Sequence, residues 1–72
     1  MVVSDAQVKN VLDGNIERKF SQFGFSLLIT RSTWTYKNNS TTSVLQECTK
    51  EINSFLSKYE SIMKNDYQLF VK

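Results

Sequence analysis

Apolar residues recur every three or four positions in the first part of the chain, over residues 4–23. This spacing is typical of an amphipathic helix. Ser4 and Gln7 stand at the spacing of a capping box, in which each side chain satisfies a backbone N–H of the other residue. Gly14 weakens the middle of the segment, and Gly24 is well placed to end it. The pattern therefore predicts a helix over residues 4–23.

Residues 43–64 carry the clearest pattern in the chain. Their apolar side chains share one arc of a helix, with polar side chains on the other side. The apolar set is Leu45, Cys48, Ile52, Phe55, Leu56, Tyr59, Ile62 and Met63. Ser43 and Gln46 repeat the capping spacing, and the pair Asn65-Asp66 is typical of a stop and turn. A second amphipathic helix is predicted here.

Two further stretches are rich in strand-forming residues. Residues 25–37 (FSLLITRSTWTYK) are dominated by β-branched and aromatic side chains, which favour a β-strand. Residues 67–71 (YQLFV) form a shorter run of the same kind. Leu69 and Phe70 are therefore expected to be neighbours in the core of a sheet.

The order of these elements predicts the fold class. Two strands joined by a crossover helix form a right-handed unit with parallel strands. We therefore expect an α+β protein, a single domain over residues 1–72. Its two amphipathic helices would pack on one face of a small two- to three-stranded sheet, in the order α-β(β)-α-β.

Phe25, Leu27 and Ile29 share the first face of the predicted strand, which would pack against the helices. Trp34 and Tyr36 lie on the second face, so the apolar side chains change faces halfway along residues 25–37. A bulge near Arg31 would return both aromatic side chains to the core. A hairpin at Arg31-Ser32 would split the stretch, although that pair lacks the usual turn residues. A straight strand would instead leave an unpaired edge and an aromatic face that a second chain would cover. All three interpretations are open at this point.

The composition excludes most catalytic and metal chemistry. The chain has 72 residues, no histidine and one cysteine, so a Ser-His or Cys-His nucleophile and an internal disulfide are excluded. Cys48 lies on the apolar side of the second predicted helix, which favours a buried thiol over a reactive one. The two glycines of the chain are too far apart for a phosphate-binding loop. We therefore expect no enzyme, no cofactor, no metal and no small-molecule substrate.

The charge distribution points to the middle of the chain. The net charge is only +2, but no Asp or Glu occurs between Arg18 and Gln46. Cations and aromatic rings coincide on the second half of the predicted strand. The candidate partner-binding residues are Arg31, Trp34, Tyr36 and Lys37.

Two functions fit this surface. The first is a small non-catalytic interaction or assembly module, acting as a homodimer or as a subunit of a larger complex through residues 25–37. The alternative is single-stranded RNA or DNA binding, in which bases stack on the rings and the cations hold phosphates. The absence of a long apolar run argues against a membrane role, and the lone thiol suggests an intracellular protein, cytoplasmic or nuclear.

Overall fold

A computed structural model of the chain describes residues 1–14 and 20–71. Over these ranges it contains four α-helices and no strand. They are α1 (Asp5–Asp13), α2 (Phe23–Asn38), α3 (Thr42–Lys58) and α4 (Lys64–Gln68), with a 3-10 turn at Glu60–Ile62. Its dimensions are 32 × 22 × 21 Å. The α+β prediction is therefore wrong: this is a small helical bundle in which α1, α2 and α3 pack against one another.

Helix α1 begins as the sequence predicted and ends earlier. The hydroxyl of Ser4 accepts from the backbone N–H of Gln7 at 3.2 Å, and the Gln7 side chain accepts from the Ser4 N–H at 2.8 Å. The capping box is thus confirmed. The helix stops at Asp13 with Gly14 as its C-cap, so the predicted continuation to residue 23 is wrong. Part of that continuation, residues 15–19, lies outside the described residues.

Helix α3 confirms the second predicted helix with shifted ends. It starts one residue earlier than residue 43 because Thr41, not Ser43, is the N-cap and accepts from the backbone N–H of Val44. It ends at Lys58, where the chain turns into the 3-10 segment. The buried side chains of α3 are Leu45, Cys48, Thr49, Ile52 and Leu56.

Helix α2 occupies the stretch predicted as the strand 25–37, so neither a straight strand, a bulge nor a hairpin forms there. Its threonine hydroxyls donate to backbone carbonyls four residues earlier, so these polar side chains are hydrogen-bonded within the helix itself. Thr30 donates to Ser26 at 2.9 Å and Thr33 donates to Ile29 at 2.7 Å. Because tertiary packing overrides weak intrinsic preferences, a segment of strand-forming residues is helical here.

Burial of one side of α2 provides that packing. Its buried residues follow the helical intervals of four, three and four positions. We call them the inner face: Phe25, Ile29, Ser32 and Tyr36. The ring of Phe25 is fully buried, with centroids 5.2 Å from Phe20, 5.3 Å from Phe55 and 5.9 Å from Phe70. An aromatic cluster therefore anchors the start of α2 in the core.

The predicted strand at residues 67–71 is also wrong. Helix α4 ends at Gln68 and is followed by a turn. Phe70 is buried in the aromatic cluster, and Leu69 is half-buried, but there is no sheet around them in the described part of the chain. The apolar side chains of this segment are therefore satisfied by helix packing rather than by strand pairing.

Two polar side chains connect parts of the chain that are far apart in sequence. Asp66, of which 1% is exposed, accepts from the Ser21 N–H and hydroxyl at 2.7 Å each and from the Gln22 N–H at 3.2 Å. Asn53 exchanges two hydrogen bonds with the backbone of Val3, at 2.7 and 2.9 Å. Since Gln22, the N-cap of α2, makes no side-chain capping bond of its own, Asp66 supplies the anion at that helix start.

Candidate interaction surface

A second apolar stripe runs along α2 on the side opposite the core. Phe23, Leu27 and Trp34 are 78%, 55% and 70% exposed. At 100° per residue they fall within about 40° of arc, and Thr30 completes the spacing. We call these four residues the outer face of α2. Large apolar side chains aligned in this way on a surface are typical of a contact site for another molecule.

The structure separates the four residues predicted to bind a partner. Trp34 lies on the outer face, and Arg31 and Lys37 are exposed on its flanks. Tyr36 is only 5% exposed and belongs to the inner face, so its prediction as a surface residue is wrong. Trp34 and Tyr36 are two positions apart. Residues at that spacing share one face of a strand, whereas they lie on nearly opposite sides of a helix.

The cation nearest the middle of the stripe has a partner within the chain. Arg31 donates from Nη2 to Oε2 of Glu51 at 2.6 Å, and this ion pair joins α2 to α3. Both side chains are at least half exposed, so the pair adds little stability. The pair nevertheless neutralises much of the positive charge that the sequence placed on this surface.

An apolar groove adjoins the outer face on its α3 side. It has a volume of about 320 Å³, and Gly24, Leu27, Leu28, Arg31 and Phe55 line it. Leu27 belongs to both the groove and the outer face. The absence of a side chain at Gly24 leaves Phe55 close to the surface, since a Cβ there would lie 3.5 Å from the Phe55 ring. The contact surface therefore combines a ridge with a neighbouring depression.

A second cleft, of about 370 Å³, contains the only cysteine. Cys48 is buried, and its Sγ lies 3.8 Å from the carbonyl oxygen of Ser32. Burial raises the pKa of the Cys48 thiol, so the thiol is protonated at neutral pH and is a poor nucleophile. No cluster of three or more potential metal ligands occurs among residues 1–14 and 20–71. The cleft therefore contains a protonated thiol and, within those ranges, no cluster of metal ligands.

Sequence reasoning missed Phe23 and Leu27 as surface residues. It placed Phe23 on the buried side of the helix 4–23 and Leu27 on the buried side of the strand 25–37. The available signal was their helical spacing from Trp34, which lies eleven positions after Phe23 and seven after Leu27. That spacing can be recognised as one face only once the segment is known to be a helix.

Neither comparison with other proteins nor membrane topology narrows the function. In the described ranges, no helix has the length and apolar character needed to cross a membrane. No protein-family model, curated protein or solved structure matches this chain.

Proposed function

We propose that this protein is a non-catalytic interaction or assembly module whose contact surface is the outer face of α2. The observation that carries the proposal is the exposure of Phe23, Leu27 and Trp34 along one stripe. At about 150–250 Å² for a whole aromatic side chain, the three expose roughly 400 Å² of mostly apolar surface. On a chain with 4845 Å² of accessible surface that is about 8%, and a patch of this size on a monomeric protein often coincides with a functional contact.

The size of the protein supports the same proposal. A domain of this length buries only about 60% of the surface that its unfolded chain exposes. The one cysteine leaves no internal disulfide to compensate. Covering the outer face would add apolar burial that the isolated chain lacks. We further propose an intracellular location, for which the single free thiol of Cys48 is the support.

Single-stranded nucleic-acid binding is less well supported on a helix than it was on a strand. The rings of Trp34 and Tyr36 no longer share a face, since Tyr36 is buried. The Arg31 guanidinium is paired with Glu51. Of the four predicted residues, only Trp34 and Lys37 have a ring or a cation available for a base or a phosphate. We keep this function as an outcome of the experiment below.

A matched pair of substitutions tests the interaction surface. Leu27 and Ile62 are 55% and 53% exposed, but only Leu27 lies on the outer face. Three tagged chains are expressed in the parent organism and purified under native conditions: wild type, Leu27→Arg and Ile62→Arg. Native mass spectrometry then measures the mass of each complex. We expect one defined complex for wild type and Ile62→Arg, and a free chain for Leu27→Arg. Circular dichroism checks that both variants keep the wild-type helix content.

The same samples discriminate between the two functions. If wild type is a lone chain in both dilute and concentrated samples, or if Leu27→Arg keeps the complex, the proposed surface is wrong. If a labelled single-stranded oligonucleotide binds with a steep salt dependence that Lys37→Ala reduces, the nucleic-acid function replaces it. Fluorescence anisotropy at low and physiological salt measures that binding.

A further inference from the structure

We infer that the partner of the outer face is a second copy of this chain, packed antiparallel, α2 against α2, across a two-fold axis between residues 28 and 29. This inference rests on the proposed function and names its partner. Self-association of helices requires a surface that is complementary to itself under the symmetry operation. The outer face of α2 has that property.

The spacing of the outer face is the first argument. Its intervals of four, three and four residues read the same in both chain directions. An antiparallel copy therefore brings Phe23 of one chain level with Trp34 of the other. Leu27 comes level with Thr30 of the other chain in the same way. Each large side chain then meets an apolar or small neighbour, and the contacts occur twice, as isologous interfaces require.

The neighbouring groove is the second argument. In the antiparallel pair, Trp34 of the second copy lies level with Phe23 and Gly24 of the first. Gly24 is where the groove lined by Leu28 and Phe55 begins. A volume of about 320 Å³ is adequate for an indole ring, so the exposed tryptophan can enter it. The ridge of one copy thus packs into the depression of the other.

Charge does not oppose the pairing. At 1.5 Å per residue, the two Lys37 side chains start about 25 Å apart along the helix axes, which exceeds the screening length of about 8 Å in physiological salt. The Arg31 side chains come closer, but each is paired with Glu51 of its own chain. No carboxylate occurs on α2 to be buried unpaired.

The area predicts a weak, reversible dimer. Two outer faces and their groove edges bury about 1,000 Å² in total, which lies at the low end of specific interfaces. Interfaces of that size are typically weak and transient, so we expect the dimer to dissociate on dilution. An acidic amphipathic helix of another protein would also suit a helix without carboxylates, but this chain already carries both the exposed Trp34 and the groove that would receive it.

The only tryptophan of the chain reports the contact directly. The emission maximum of Trp34 and the mass by sedimentation equilibrium are measured over a wide range of protein concentration. We expect the emission to shift to the blue while the mass rises from 8.4 kDa to twice that value. Ile62→Arg should follow wild type, and Leu27→Arg should remain a monomer with exposed tryptophan.

A charge exchange tests the register. In the antiparallel pair, Phe23→Glu and Trp34→Lys place opposite charges level with each other only in a mixed dimer. Each variant alone loses both of its Phe23–Trp34 contacts. We therefore expect the mixture to form a heterodimer that exceeds either homodimer at least tenfold in native mass spectra. No preference for the mixed dimer would overturn the antiparallel register.

Two measurements distinguish a wrong partner from a wrong contact surface. A chain that stays monomeric at every concentration, with unshifted Trp34 emission, overturns the second-copy inference. An acidic amphipathic helical peptide is then added to that monomer. A blue shift that Leu27→Arg abolishes keeps the proposed function with a different partner, and no shift with the peptide counts against both.

Discussion

The two faces of α2 use the same spacing and similar side chains, yet they have opposite surroundings. The inner face and the outer face each follow intervals of four, three and four residues, offset by two positions. Two positions correspond to about 200° around a helix, so the faces point in nearly opposite directions. Each face holds two aromatic side chains and one aliphatic side chain. The chain itself covers only the inner face, which shows that spacing and apolar character alone do not decide burial.

The largest effect is expected at Phe25, two positions from Phe23 but on the opposite side of α2. Phe25→Ala removes a fully buried ring at the centre of the aromatic cluster. We expect it to lower the free energy of unfolding by about 3–5 kcal/mol. In a domain of this size the loss approaches the whole stability, so circular dichroism at low temperature should show much reduced helix content. A fully helical Phe25→Ala chain would contradict the assignment of the inner face as core.

The next effect concerns the polar contact that holds the start of α2. Asp66→Ala removes three hydrogen bonds to Ser21 and Gln22 at that helix start. We expect the free energy of unfolding, from urea titration, to fall by about 2–3 kcal/mol. Asp66→Asn is the control, because its amide oxygen keeps one acceptor and should recover part of the loss. Equal losses for both variants would show that the charge, and not the hydrogen bonds, matters here.

A smaller effect is expected at the edge between the two faces. Arg31→Ala breaks the exposed ion pair with Glu51. Because solvent and salt screen such pairs, we expect a loss of about 0.2–1 kcal/mol that shrinks further in 1 M salt. A double-mutant cycle with Glu51→Ala isolates the pair. A coupling above that range would mean that the pair is a structural part of the α2–α3 contact.

The smallest effect is expected on the outer face. Phe23→Ala removes a ring of the same size as Phe25, but one that is 78% exposed. Below the concentration of self-association, we expect the free energy of unfolding to change by less than about 0.5 kcal/mol. Urea titration of dilute protein measures it beside Phe25→Ala. A loss comparable to that of Phe25→Ala would show that the outer face is covered within the chain.

The two-sided character of α2 explains why the sequence predicted a strand there. Two helical stripes offset by two positions interleave, so apolar residues alternate at 23, 25, 27 and 29 as they would in a strand. Each stripe contains one interval of three residues. After residue 29 the members of both stripes therefore fall at even positions, which include Trp34 and Tyr36. That shift produced the apparent change of faces before Trp34 and Tyr36. Helices α1 and α3 have a single apolar side and were predicted correctly in type.

The helix ends were predictable only where the capping residues lie close together in the sequence. The capping box at Ser4 was predictable because its partners are three residues apart. The anion at the start of α2 comes from Asp66, which no local pattern could indicate. Of the candidate partner-binding residues, Trp34, Arg31 and Lys37 are exposed. Tyr36 was misplaced, and Phe23 and Leu27 were missed, because all three assignments depended on the helical period.

The contact from Asp66 to Ser21 spans 45 positions of the chain. A peptide that contains α2 alone would therefore lack its starting anion and the aromatic partners of Phe25, and short isolated helices are marginal in water. The proposed contact surface is then a property of the completed tertiary structure and not of a linear epitope. Partial unfolding around residue 66 would remove the proposed contact surface together with the fold, so any binding through it would be lost in the same step.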